Sequence, residues 1–72
     1  LMRSIMNKGK NLKLRAIRHL ANMSQQKLAR HCGIDQRLIS IYETGKAVPT
    51  ETIKNKISQI LKVPPEELFP EN

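Results

Sequence analysis

The sequence predicts an all-α domain of five short helices, and three observations predict it. Apolar side chains recur at i, i+3 and i+4 through successive stretches of the chain. Those stretches are bracketed by residues that start and stop helices: Ser24, Asp35 and Thr50 before them, Gly33, Gly45 and Pro64 after them. The apolar share, 39%, comes almost wholly from Leu, Ile, Val, Ala and Met, with one Tyr, one Phe and no Trp. Leu and Ala are good helix formers, so the palette suits a helical bundle. A length of 72 residues allows one domain, with a core near the lower limit for independent folding.

The elements follow in order. Residues 1–10, LMRSIMNKGK, carry Arg3, Lys8, Gly9 and Lys10 and read as a weakly ordered basic arm, with at most a helical turn near Met2 to Met6. Residues 11–72 form the domain. A first helix is expected from about Asn11 to Ala21, with Leu14, Ile17, Leu20 and Ala21 as its apolar stripe. Asn22 is its left-handed stop, and Met23 packs back toward the core. Ser24 caps a second helix whose inner stripe is Leu28, Ala29 and Cys32. Gly33 supplies the positive φ of a tight turn, and Ile34 drops into the core. Asp35 caps a third helix that continues to about Thr44 and ends at Gly45. Pro49 or Thr50 opens a fourth, with Ile53, Ile57, Ile60 and Leu61 inward. Val63-Pro64-Pro65 breaks it, and a last short helix covers Glu66 to Phe69 before Pro70. Repeats, low-complexity runs and domain linkers are not seen.

The formal charge is +7, and its distribution says more. Residues 1–62 hold all 13 bases against three acids, Asp35, Glu43 and Glu51, a net of +10. Glu66, Glu67 and Glu71 lie in the last ten residues, which hold no base. A basic body with an acidic tail points to a polyanionic partner for the body. Plain solubilising charge is the competing reading.

Several chemistries are not expected. His31 and Cys32 are neighbours, but adjacent helical residues point about 100° apart and do not readily share a ligand site. A second Cys-x-x-Cys or a His-x-x-x-His is missing, so no metal and no cofactor are expected. The sequence shows neither a glycine-rich phosphate loop nor a paired-acid arrangement, so an enzyme is not expected. A single cysteine excludes an internal disulfide and fits a reducing, cytoplasmic setting. Neither a signal-peptide pattern nor a transmembrane span is visible. The chain opens on Leu1, which leaves room for a native start upstream.

The stretch from Ser24 to Gly45, SQQKLARHCGIDQRLISIYETG, is the most informative. It places two short helices around a tight turn at Cys32-Gly33-Ile34, with polar side chains opening the second. That is the layout of a helix-turn-helix, whose second helix enters the DNA major groove. Around it, the chain resembles a lambda-repressor-like (Xre/Cro-type) helix-turn-helix domain. The matching residues are L-R-x-I-R at Leu14 to Arg18, M-S-Q-x-x-L-A at Met23 to Ala29, and Gly33-Ile34. They continue with I-S-x-Y-E-x-G-K at Ile39 to Lys46, the segment from Pro49, and V-P-x-E-E-L-F at Val63 to Phe69. The resemblance covers roughly residues 11–70. It implies a five-helix domain that binds operator DNA, usually as a dimer.

Carried over residue by residue, the resemblance puts Gln36 and Arg37 on base-reading positions. Gln suits the N6/N7 edge of adenine and Arg the O6/N7 edge of guanine. Ser40, one turn on, is within range of a base edge or a phosphate. Ile41 and Leu38 depart from the family, which often has a polar or small residue there. Both are expected to point away from the core pair Ile39 and Tyr42. Thymine-methyl contact, a protein interface and tolerated exposure are all open for them. Gln25 and the start of the second helix are implied to grip a phosphate, where free backbone N–H groups attract an anion. Lys27 opposes the macrodipole in that first turn; a phosphate would relieve the conflict, and a plain surface lysine is the alternative. Lys46, Lys10 and Lys13 are expected beside the DNA backbone, orienting without specifying. The family pairs the positions of Arg18 and Glu43 in an ion pair, with Arg18 still facing a phosphate.

The expected function is therefore sequence-specific binding of double-stranded DNA by a transcriptional regulator, most simply a repressor acting as a homodimer. A compact regulator of this kind is expected in bacteria, phages or mobile elements. The dimer surface is expected at Val63, Pro64, Leu68 and Phe69, which are apolar and lie far along the chain from the reading helix. The alternative is an antitoxin or other protein-binding regulator on the same scaffold. A third reading, a non-specific packaging protein, would bind with strong salt dependence and no motif. A small-molecule ligand is not expected.

Overall fold

Five helices and no strand are found among residues 11–70, the part of the chain that the computed structural model describes. They are α1 (Leu12–Leu20), α2 (Gln25–Cys32), α3 (Gln36–Glu43), α4 (Glu51–Leu61) and α5 (Pro65–Leu68). The all-α, five-helix architecture expected from the sequence is the one observed. The expected basic arm at residues 1–10, Lys10 included, lies outside the described residues. None of the described helices is long and apolar enough to cross a membrane.

Four helices begin on a side-chain cap. Asn11, Ser24, Asp35 and Thr50 accept from the backbone N–H groups of Leu14, Lys27, Arg37 and Ile53. Each cap satisfies one of the donors that a helix start leaves without an internal acceptor. The same four helices end alike. Asn22, Gly33, Gly45 and Lys62 take positive φ values of 60°, 71°, 77° and 62°. The next N–H then reaches back to a carbonyl five residues earlier: Met23 to Arg18, Ile34 to Ala29, Lys46 to Ile41 and Val63 to Ser58. These are Schellman closures, which turn the chain sharply and use up terminal carbonyls. A Cβ at Gly33 would meet nothing within 4 Å, so backbone conformation rather than space selects glycine there.

Each helix contributes one completely buried side chain: Leu14, Leu28, Ile39, Ile57 and Leu68. Ala29, Cys32, Tyr42, Leu61 and Phe69 complete the core. α2 packs against α3 and α4, α1 against α3 and α5, and α4 against α5. The Asn11 amide donates to the Leu68 carbonyl at 2.6 Å, tying the start of α1 to the end of α5.

Three expectations need correction. The expected dimer surface loses Leu68 and Phe69, which are 0% and 8% exposed and belong to the core. The chain turns back at Pro64-Pro65 and lays both side chains against the helices before them. Only Val63, half-buried, and Pro64, exposed, retain accessible surface from that set. Leu20 and Ala21 do not continue the α1 stripe; Leu20 is 85% exposed. Arg18 takes the inward position instead, and a step of two residues from it swings a side chain about 200° around the helix. Leu38 and Ile41 do not point away from the core but pack, half-buried, against its edge.

Two stability effects follow. Ile39→Ala should destabilise the domain by about 2–5 kcal/mol through lost burial and a residual cavity, measured by urea denaturation. Lys62→Gly should raise stability by roughly 1 kcal/mol, because it relieves the left-handed strain on a side chain already exposed, measured in the same assay.

Candidate nucleic-acid interface

The interface is built on the α2–turn–α3 unit. Ile39 and Tyr42 anchor one side of α3 in the core. The opposite side of its first turn leaves Gln36 and Arg37 exposed. Ser40 is half-buried one turn on, and Ile41 keeps only an exposed edge. An open cleft runs between the end of α1 and the starts of α2 and α3, lined in part by His19, Asn22, Ser24, Gln25, Lys27 and Gln36. Ser24 already caps the Lys27 N–H at 3.0 Å. The two N–H groups before it, on Gln25 and Gln26, have no acceptor inside the helix. Lys13, Lys27 and Lys46 are exposed.

Behind this surface lies a polar cluster. Arg18 donates from Nε to Glu43 Oε2 at 2.5 Å and from Nη2 to Oε1 at 3.1 Å. Its Nη1 donates to the Met23 carbonyl at 2.9 Å. Gln25 Nε2 donates to Glu43 Oε1 at 3.0 Å. The two charged side chains are 7% and 4% exposed. Their burial is tolerable because the guanidinium meets the carboxylate bidentately and both find further partners. No buried side-chain nitrogen or oxygen among the described residues lacks a hydrogen-bond partner.

This geometry bears on one more expectation. The Arg18 guanidinium is buried and spends one donor from each nitrogen on Glu43 or the Met23 carbonyl, while it also forms part of the wall of the cleft. Gln25, half-buried, has its amide turned partly inward to Glu43.

Sequence reasoning missed two features. Lys54 is 8% exposed on the inner side of α4, 3.6 Å from Glu51 one turn before it. A long aliphatic stem covers apolar surface while the ammonium reaches a partner, a behaviour that composition does not reveal. Asp35 not only caps α3 but lies 3.6 Å from the Nε of Arg37; the sequence shows that a cap is present but not where the arginine folds. Cys32 is buried, and burial raises its thiol pKa, with the Lys56 ammonium acting in the opposite direction. His31 beside it is exposed. Among the described residues, no three His, Cys, Asp or Glu side chains converge on a metal-sized site.

The arrangement defines a helix-turn-helix DNA-binding domain: a tight turn at Gly33 sets α2 beside the exposed polar start of α3. The sequence profile of the helix-turn-helix domain family matches residues 11–71, and the chain belongs to that family. More narrowly, it is a Xre/lambda-repressor-like member, a class of DNA-binding regulatory domains. No curated protein and no solved structure matches the chain.

The buried pair makes an unequal prediction. Arg18→Ala should destabilise the domain by about 3–5 kcal/mol, because it strands Glu43 in the interior. The double replacement Arg18→Met with Glu43→Leu should recover most of that loss. Urea titration of the single and double variants measures the difference.

Proposed function

We propose that this domain is a sequence-specific regulator of transcription that occupies operator DNA, most simply as a repressor. The observation that carries the reading is the exposed Gln36-Arg37 edge at the start of α3, backed by Ile39 and Tyr42 in the core. α3 lies in the major groove. Gln36 reads adenine, Arg37 reads guanine, and Ser40 with the exposed edge of Ile41 reaches the following base pair.

The first N–H groups of α2, with Gln25 and Lys27, hold one phosphate. Lys46 and Lys13 flank the backbone on either side. These contacts set register and orientation but carry no sequence information. A two-fold dimer would place two half-sites about 34–36 Å apart, one turn of the duplex. Its surface would use Val63 and Pro64. An alternative regulator that grips a protein through its apolar C-terminal segment loses Leu68 and Phe69, which the domain's own core takes up.

Selection from a random duplex library at about 150 mM salt, where phosphate attraction is partly screened, tests the reading. An enriched motif with two symmetric halves is the expected outcome. Arg37→Ala should relax one base position per half-site, removing about 1–3 kcal/mol of discrimination. Lys46→Ala should instead weaken binding to all sequences alike and flatten the salt dependence by about one phosphate. Duplex binding without any motif would refute the reading.

A further inference from the structure

We propose that Asp35 is a specificity-determining residue: it holds Arg37 by one edge of the guanidinium so that the other edge is presented to guanine. The inference rests on the reading that α3 faces the major groove.

Three observations support it. The Asp35 Oδ1 atom accepts from the Arg37 backbone N–H at 2.8 Å and lies 3.6 Å from the Nε of the same residue. One carboxylate oxygen thus bonds the backbone of Arg37 and faces its guanidinium at ion-pair distance. Secondly, capping does not require an acid. Uncharged Asn11, Ser24 and Thr50 cap the other long helices, and only α3 among these four is capped by a carboxylate. Thirdly, the carboxylate stands where it is electrostatically unwelcome. Asp35 is one of three acids in the first 62 residues, and Glu43, another of them, is buried against Arg18. An exposed negative charge at the head of a DNA-facing helix repels phosphate, so capping alone leaves that repulsion unexplained.

The guanidinium has two donor edges. With Asp35 on the Nε side, Nη1 and Nη2 remain as a parallel pair. That pair matches the O6 and N7 acceptors of guanine in the major groove. Adenine sets an N6 amino group against one of the two donors, and thymine offers a single acceptor and a methyl group. A long arginine without a counter-charge would be as free to grip a phosphate, which carries no sequence information. The carboxylate discourages that by repelling phosphate. In the free protein the pair is weak, since Arg37 and Asp35 side chains are 88% and 57% exposed. Docking on the duplex excludes water and strengthens the same contact. Each half-site should accordingly contain a guanine at the position that depends on Arg37.

The test compares wild type, Asp35→Asn, Arg37→Ala and the double variant. Each is titrated against the selected duplex and against one with adenine in place of that guanine. Asn caps a helix about as well as Asp, so the fold is kept while the charge is lost. Asp35→Ser is a second uncharged cap, and thermal melting verifies both. Asp35→Asn should lower the guanine-over-adenine preference by about two- to fivefold, the range of an exposed ion pair. It should bind unrelated duplex at least as tightly as wild type. In the Arg37→Ala background it should have no effect on that preference.

An unchanged preference in both uncharged-cap variants overturns the proposal. So does an equal drop in the Arg37→Ala background, or a base other than guanine at the Arg37-dependent position. In each case a wild-type motif leaves the regulator reading standing. Absence of any wild-type motif overturns both.

Discussion

The ion pair between Arg18 and Glu43 is the constraint on which the rest of this domain depends. Glu43 sits in the last turn of α3, where the carbonyl ends of the helix disfavour an anion. It is also buried, so a partner is obligatory. Arg18 comes from α1, Gln25 from the head of α2, and Arg18 further holds the Met23 carbonyl in the turn between them. Three helices therefore meet at one directional polar cluster. Apolar contact brings helices together without fixing their rotation; bidentate hydrogen bonds do fix it. The Asn11 N–H extends the link by donating to the Glu43 carbonyl at 3.1 Å. The presentation of α3 is thus set from its buried end, and its reading end stays exposed.

Around that cluster the chain reaches a folded state with little material. One buried aliphatic side chain per helix gives every element a share in the same core. Schellman closures at Asn22, Gly33, Gly45 and Lys62 keep the connections tight, so few residues are ordered outside helices. Each ordered residue carries an entropic cost, and a small core can offset only so much of it. Placing Leu68 and Phe69 inside follows from the same limit. A domain of this size cannot leave its last large apolar residues for a partner and still close its core.

Burial also sorts the charges. Arg18 and Lys54 are inside, and the acid nearest the candidate interface other than Asp35 is neutralised by Arg18. The exposed bases, Lys13, Lys27, Arg37 and Lys46 among them, are left to face solvent or a polyanion. Total charge suggests the class of partner, but only this partition shows which cations are available to it.

The helices themselves were legible in the sequence, because caps, stops and the 3.6-residue period are local effects. Ser24, Gly33, Asp35 and Gly45 state their roles through backbone chemistry alone, and the helix-turn-helix follows from their spacing. The family membership was legible for the same reason. What lay beyond the sequence depends on which face meets which neighbour. Leu20 and Arg18 both fit a helical stripe by rough spacing, and only packing against α3 and α5 decides that the arginine goes in. Leu38 and Ile41 read as outward residues until the core edge takes them. Leu68 and Phe69 read as a free apolar surface until Pro64 and Pro65 fold them back. The sequence by itself determined the helices, their ends and the kind of domain they make, since those rest on interactions a few residues apart. Only the tertiary structure decided which charges are spent inside and which side chains remain to touch a partner, since burial is a property of the assembled helices.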